Sequence, residues 1–173
     1  MFELDRRPTR MRVIALARAW IGTPYHHQAS APGAGVDCIG LVRGVFRALY
    51  GHEPEALPGY SRDWAEATGT ETLIVAARRH LVEIDAATAR EGDVIVFRYR
   101  PRLVAKHAGI LACGEPSSPA LIVERSPSPD AACPSSGLTL IHAMEGAPVS
   151  EVNLSAWWRR RIAAAFAFPG VND

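Results

Sequence analysis

Asp37-Cys-Ile-Gly-Leu-Val-Arg-Gly-Val-Phe-Arg-Ala-Leu-Tyr-Gly51 is the stretch on which the fold turns. Asp37 is a strong helix N-cap, and Leu41, Val42, Val45, Phe46 and Leu49 recur at three- and four-residue intervals until Gly51 offers a left-handed stop. The spacing predicts an amphipathic helix whose first residue is Cys38. A thiol there faces unpaired backbone N–H groups and the positive end of the helix dipole, both of which favour the thiolate. Free cysteine is also among the most buried residue types, so position alone leaves a packing role and a nucleophilic role both open.

Working outward, Val13, Leu16, Ala17, Trp20 and Ile21 follow helical spacing from Arg10 until Gly22 and Pro24 stop it. Gly22 to Val36, rich in Gly, Pro, Ser and Ala, reads as a loop carrying Tyr25, His26 and His27. Downstream, after Pro54, Pro58 and Gly59, a third helix is expected from about Glu71 to Val82, with Leu73, Ala77, His80, Leu81 and Ile84 on its inner stripe. The period then changes. Glu91-Gly-Asp93 forms a turn, and strands are expected at Val94 to Phe97, Ala105 to Ala112, Ala120 to Glu124, Leu138 to Ala143 and Arg161 to Phe168. In the last, Ile162, Ala164, Phe166 and Phe168 put their bulk on one face. Helices first and strands afterwards indicate an α+β fold with helices packed on a largely antiparallel sheet. Ser126 to Gly137 reads as a surface loop, and residues 1–173 as one domain with its core over about 10–169.

Composition narrows the function classes. Nineteen basic against 18 acidic residues give a formal charge of +1, which disfavours a strongly basic nucleic-acid binder. The apolar run from Val13 to Ile21 is interrupted by Arg18 and is far short of the ~20 residues that span a bilayer, so no membrane insertion is expected. The arginines at 6, 7, 10 and 12 precede no small-residue cleavage site, so a chain made in the cytoplasm without a secretory signal is expected. Three cysteines, Cys38, Cys113 and Cys133, lack CxxC spacing, and no metal site and no cofactor are expected; Cys113 and Cys133 bracket an excursion and could meet across a hairpin, but a cytoplasmic origin favours reduced thiols.

His107 and His142 lie in strand-type segments, His-Ala-Gly-Ile-Leu and Leu-Ile-His-Ala, where an imidazole is costly unless its nitrogens find partners. Two such strands downstream of a helix-opening cysteine suit a base beside the thiol and an orienting group behind the base. Core histidines bonded to backbone carbonyls, or sheet-edge histidines facing water, are the alternative for either one alone.

Taken in order, Trp20-Ile-Gly-Thr-Pro-Tyr25, Asp37-Cys-Ile-Gly-Leu-Val42, Glu91-Gly-Asp-Val-Ile-Val-Phe97, His107-Ala-Gly-Ile-Leu111 and Leu140-Ile-His-Ala143 resemble the successive motifs of the NlpC family of papain-like cell-wall cysteine peptidases. The Trp157-Trp-Arg-Arg-Arg-Ile162 stretch ending in Phe168-Pro169 resembles its phage and gene-transfer-agent branch. The resemblance implies a papain-like fold and cleavage of peptidoglycan stem peptides, typically between D-glutamate and a diamino acid, through a thioester. It implies Cys38 as nucleophile, His107 as general base and acid, and His142 as the residue that orients His107. It further implies Tyr25 as an oxyanion donor beside the Cys38 N–H, and Asp37 as a possible contact to a substrate amine. Cys38 and His107 are expected as a thiolate–imidazolium pair. Implied partners are the peptidoglycan substrate and phage-tail or gene-transfer-agent structural proteins, with the protein at the cell wall or in a virion tail. The family's Asp-Cys-Ser-Gly reads Asp-Cys-Ile-Gly here, which removes a hydroxyl beside the nucleophile. A papain-like amidase or acyltransferase, and a catalytically degenerate tail or wall-binding module, are the competing readings.

Overall fold

The computed structural model describes residues 8–55, 69–114 and 137–171. Its first helix, α1 (Arg10–Arg18), is capped by the Thr9 hydroxyl, which accepts from Arg12 N–H. The expected loop contains a small hairpin of β1 (Ser30–Ala31) and β2 (Gly35–Val36). Then comes α2 (Cys38–Tyr50), bounded as its sequence predicts by Asp37 and by Gly51 at φ 78°.

The third helix, α3 (Thr72–His80), ends earlier than its apolar stripe suggests. Leu81 turns extended, and β3 (Val82–Ile84) pairs with the last strand, Val82 opposite Ala167 and Ile84 opposite Ala165. Val82 and Ile84 therefore belong to an edge strand and not to a helical face. β4 (Val94–Phe97), β5 (His107–Cys113), β6 (Leu138–His142), β7 (Ser150–Asn153) and β8 (Ile162–Ala167) complete the sheet, with a four-residue helix α4 (Ala156–Arg159) before β8. Ala120 to Glu124 lies outside the described residues. The order is β3-β8-β4-β5-β6-β7, and every pairing is antiparallel.

One face of the sheet, with Val94, Val96, Ala108, Ile110, Ile141 and Phe166, packs on α1 and α2. The other carries Ile95, Phe97, Leu111, Leu140 and Ala165 and is closed by Leu154 and Trp158. Ile162 joins this second face because the β4–β8 register shifts between Val96 and Phe97, so a bulge turns it away from the side shared by Ala164 and Phe166.

Helix α1 meets α2 where Gly44 leaves room for Trp20; a Cβ at Gly44 would stand 2.1 Å from the indole Cζ2. The Arg18 guanidinium fixes the opposite side. It donates to both oxygens of Glu151 on β7 at 2.9 and 2.8 Å, and to the Cys113 carbonyl at 2.9 Å. Glu151 is buried and also accepts from the Thr139 hydroxyl at 2.6 Å, so this charge-assisted network ties α1 to β5, β6 and β7. Cys113 is disulfide-bonded, which corrects the expectation of a reduced thiol; that expectation rested on compartment and not on local geometry, and Cys133 lies outside the described residues.

Candidate active site

The fold sets Cys38 at the N-terminus of α2, His107 at the first position of β5 and His142 at the last position of β6, so all three fall at one end of the sheet. His107 Nε2 lies 3.0 Å from His142 Nδ1, and both imidazoles are buried. Trp158, from α4, stacks on His107 at 5.5 Å between centroids and meets His142 edge-on at 5.1 Å, so it packs against both rings, which stand 80° to each other. Its position in an arginine-flanked helical turn hides this role from the sequence.

Cys38 is only half-buried and lines, with His107, Tyr25 and Asp37, a cavity of about 680 Å³. Its Sγ lies 3.9 Å from the carbonyl oxygen of Lys106, immediately before His107. His142 occupies Nε2 of His107, which leaves Nδ1 as the ring nitrogen available to the thiol. His27, Tyr99 and Glu145, none of them among the expected catalytic set, line the same cavity.

Asp37, at the edge of this cavity, makes structural bonds. Its side chain is buried, Oδ1 accepts from Gly40 N–H and Oδ2 from Gln28 N–H, each at 2.7 Å, and His27 Nδ1 stands 3.7 Å away. One carboxylate thus caps the helix that carries the thiol and also holds Gln28, whose φ is 66°.

The ionised pair expected from the sequence is not what the electrostatics favour at rest. Burial, with Asp37 as a second contributor, pushes the Cys38 thiol up to about 12, against backbone N–H groups of Ala108, Ile39 and Cys38 that pull the other way. Burial drives His107 down to about 3, helped by the neighbouring His142, and takes His142 down to about 4. The resting site is therefore a thiol beside a neutral imidazole. Tyr99 is likewise pushed up to about 12, mainly by burial and further by Cys38 and Tyr25, so its phenol stays protonated. Among the described residues no group of three or more His, Cys, Asp or Glu side chains is placed to hold a metal ion.

A sequence model of the NlpC/P60 family matches residues 22–165, which takes in α2 and most of the sheet. The chain belongs to the NlpC/P60 family. Solved NlpC/P60 structures share the fold. The NlpC/p60 domain of the peptidoglycan hydrolase SagA aligns at TM-score 0.57 and 19% identity over 92% of this chain and 99% of that one. A family protein from Bacillus cereus aligns at TM-score 0.57 and 16% identity over 94% of this chain, and a lipoprotein-like one from Staphylococcus aureus at 0.51 and 18% over 99%. The chain spans less than half of these last two, 41% and 43% of their lengths, so the NlpC/P60 unit recurs there within longer chains. No curated protein sequence matches. None of these NlpC/P60 relatives is described as a phage or gene-transfer-agent protein, so the finer resemblance to that branch gains no support from them.

Proposed function

We propose that the protein is a cell-wall thiol peptidase that cuts peptidoglycan stem peptides, at the bond between D-glutamate and a diamino acid, through a thioester on Cys38. The observation that carries this reading is the 3.0 Å contact of His107 with His142 beside a helix-opening cysteine. Membership of a family that includes a peptidoglycan hydrolase supplies the substrate class.

A neutral His107 is a competent base. With its proton on Nε2 it donates to His142 Nδ1 and keeps a lone pair on Nδ1 for the thiol. As Sγ attacks the carbonyl carbon, Nδ1 takes the thiol proton, and the Nε2–H bond to His142 steadies the imidazolium that forms. Charge then develops on the carbonyl oxygen at the N-terminus of α2, where the Cys38 N–H and the Tyr25 hydroxyl are the candidate donors; one such donor is worth roughly 3 kcal/mol of barrier. The imidazolium protonates the departing amine, the C–N bond breaks, and water, activated by the same imidazole, releases the acid product and the thiol.

The test is digestion of purified muropeptides by wild type and Cys38→Ala, with products weighed by mass spectrometry. The reading expects a new acid and amine pair from wild type alone. Release by Cys38→Ala, or fragments from sugar–lactyl amide cleavage, contradicts it.

A further inference from the structure

The catalytic cavity does not end at His107. Tyr99, whose ring centroid is 6.0 Å from that of His107, lines it and also lines an open cleft of about 820 Å³ with Arg98, Arg160 and Arg161. No acidic side chain lines this cleft among the described residues. The three cations are held differently. Arg98 is paired through Nη2 with Glu71, whose second oxygen accepts the Ala105 N–H at 2.9 Å, so that carboxylate is committed within the protein. Arg161 donates Nη1 to the Trp157 carbonyl at 2.9 Å, and its guanidinium carbon stands 3.8 Å from the centroid of the Trp157 ring, which fixes the plane of the group. The exposed Arg160 side chain has no hydrogen-bond or ion-pair partner among the described residues. Trp157 itself is 42% exposed, unlike the buried Trp158.

We propose that this cleft binds a carboxylate on the leaving-group half of the substrate, an inference that rests on the peptidase reading above. In that mechanism His107 delivers a proton to the departing amine, so the leaving half must lie on the imidazole side of Sγ. Tyr99 forms the wall that leads from His107 on that side to the three arginines. Planar guanidiniums with free N–H edges match a carboxylate in fork geometry, and a groove of one sign walled by Tyr99, Pro101 and Ile162 concentrates an anion. The Arg98 Nη1, Arg161 Nη2 and the whole Arg160 guanidinium remain unused by the described residues. Residues 98–99 and 160–161 meet here because β4 and β8 are hydrogen-bonded neighbours, Arg98 N–H donating to the Arg161 carbonyl at 2.8 Å.

The test uses two synthetic peptides with one scissile bond, ending on the leaving side in a carboxylate or in a carboxamide. Wild type is expected to favour the carboxylate by about tenfold in KM, the size of one charge-assisted contact. Arg160→Gln brings the ratio close to one, Arg160→Lys restores part of it, and Arg160→Glu turns the preference toward an amine-bearing leaving group. Equal KM values for wild type, or an undiminished preference in Arg160→Gln, overturn the proposal. Cleavage of neither peptide, or cleavage by Cys38→Ala, is a failure of the peptidase reading instead. The cleft is then judged by calorimetric titration of Cys38→Ala with both peptides. Carboxylate-selective binding lost in Cys38→Ala/Arg160→Gln supports the proposal, whereas equal binding, or tighter binding of a glycerol phosphate polymer, overturns it.

Discussion

Replacing Asp37 separates the two things its carboxylate does. In Asp37→Ala the cap on α2 is lost, which costs about 1 kcal/mol for an ordinary N-cap. The Gln28 N–H loses the 2.7 Å acceptor that fixes a residue at φ 66°, and losing a part-buried hydrogen bond to a charged group costs about 1–3 kcal/mol more. Together these give about 2–4 kcal/mol, or a fall of roughly 5–15 °C in Tm for a domain of this size. The same substitution removes the negative charge that helps to raise the Cys38 thiol, so alkylation of Cys38 by iodoacetamide at pH 8 and 25 °C should become faster. Asp37→Asn keeps an acceptor for Gly40 but turns a donor or a weaker acceptor toward Gln28, and should lose less stability with the same sign of change in thiol reactivity. Thermal denaturation followed by circular dichroism, with alkylation rates below the transition, tests both effects. A Tm within 2 °C of wild type, or slower alkylation in both variants, would refute the assignment of Asp37 as cap and local anion.

Gly44→Ala drives a methyl into the Trp20 indole, 2.1 Å from Cζ2, and should cost about 3 kcal/mol as overpacking at the α1–α2 contact; an unchanged melting curve contradicts this. Cys38 alkylation should keep accelerating with pH beyond 9 because burial holds its pKa near 12, and a plateau below pH 7 would instead show a preformed thiolate. His107 and His142 titrate lower in the fold, at about 3 and 4, than in the unfolded chain at 6.5. The unfolded state therefore takes up protons first, stability is full above about pH 6.5, and it declines as the pH falls toward 4 and 3. Urea midpoints at pH 7, 5 and 4 should show that decline, and a shallower one in His107→Gln/His142→Gln; equal slopes contradict burial of the two imidazoles as its cause.

The helices were readable where local chemistry agrees with the fold. Asp37 and Gly51 bound α2 in sequence as in structure, because a cap and a left-handed stop act within a few residues. Val82 and Ile84 misled for the opposite reason: Ile84 continues a helical stripe that carries the helix to about Val82, and only pairing with Ala167 and Ala165 on a distant strand makes them β. Strand β7 was missed since its key inward residue, Glu151, is polar and is buried only because Arg18 and Thr139 reach it. The helix α4 was missed with it. At the site, the resemblance picked out Cys38, His107 and His142, and the fold brings His107 and His142 into contact beside the cavity that Cys38 lines. The charge state was not legible, because it depends on how deeply β5 buries the imidazole and on Asp37 standing beside the sulfur. Tyr99 at the cavity, and the packing of Trp158 on His107, were not legible either, since both follow from sheet order and not from spacing.

Thioester chemistry requires a covalent bond between Cys38 and the acyl half of the substrate. Wild type mixed with a stem peptide, quenched in acid within the first turnovers, digested and mapped by mass spectrometry, should carry the acyl half of the substrate on the peptide containing Cys38 and on no other. An acyl adduct elsewhere, or cleaved substrate with an unmodified Cys38 at every quench time and full activity in Cys38→Ala, would contradict it.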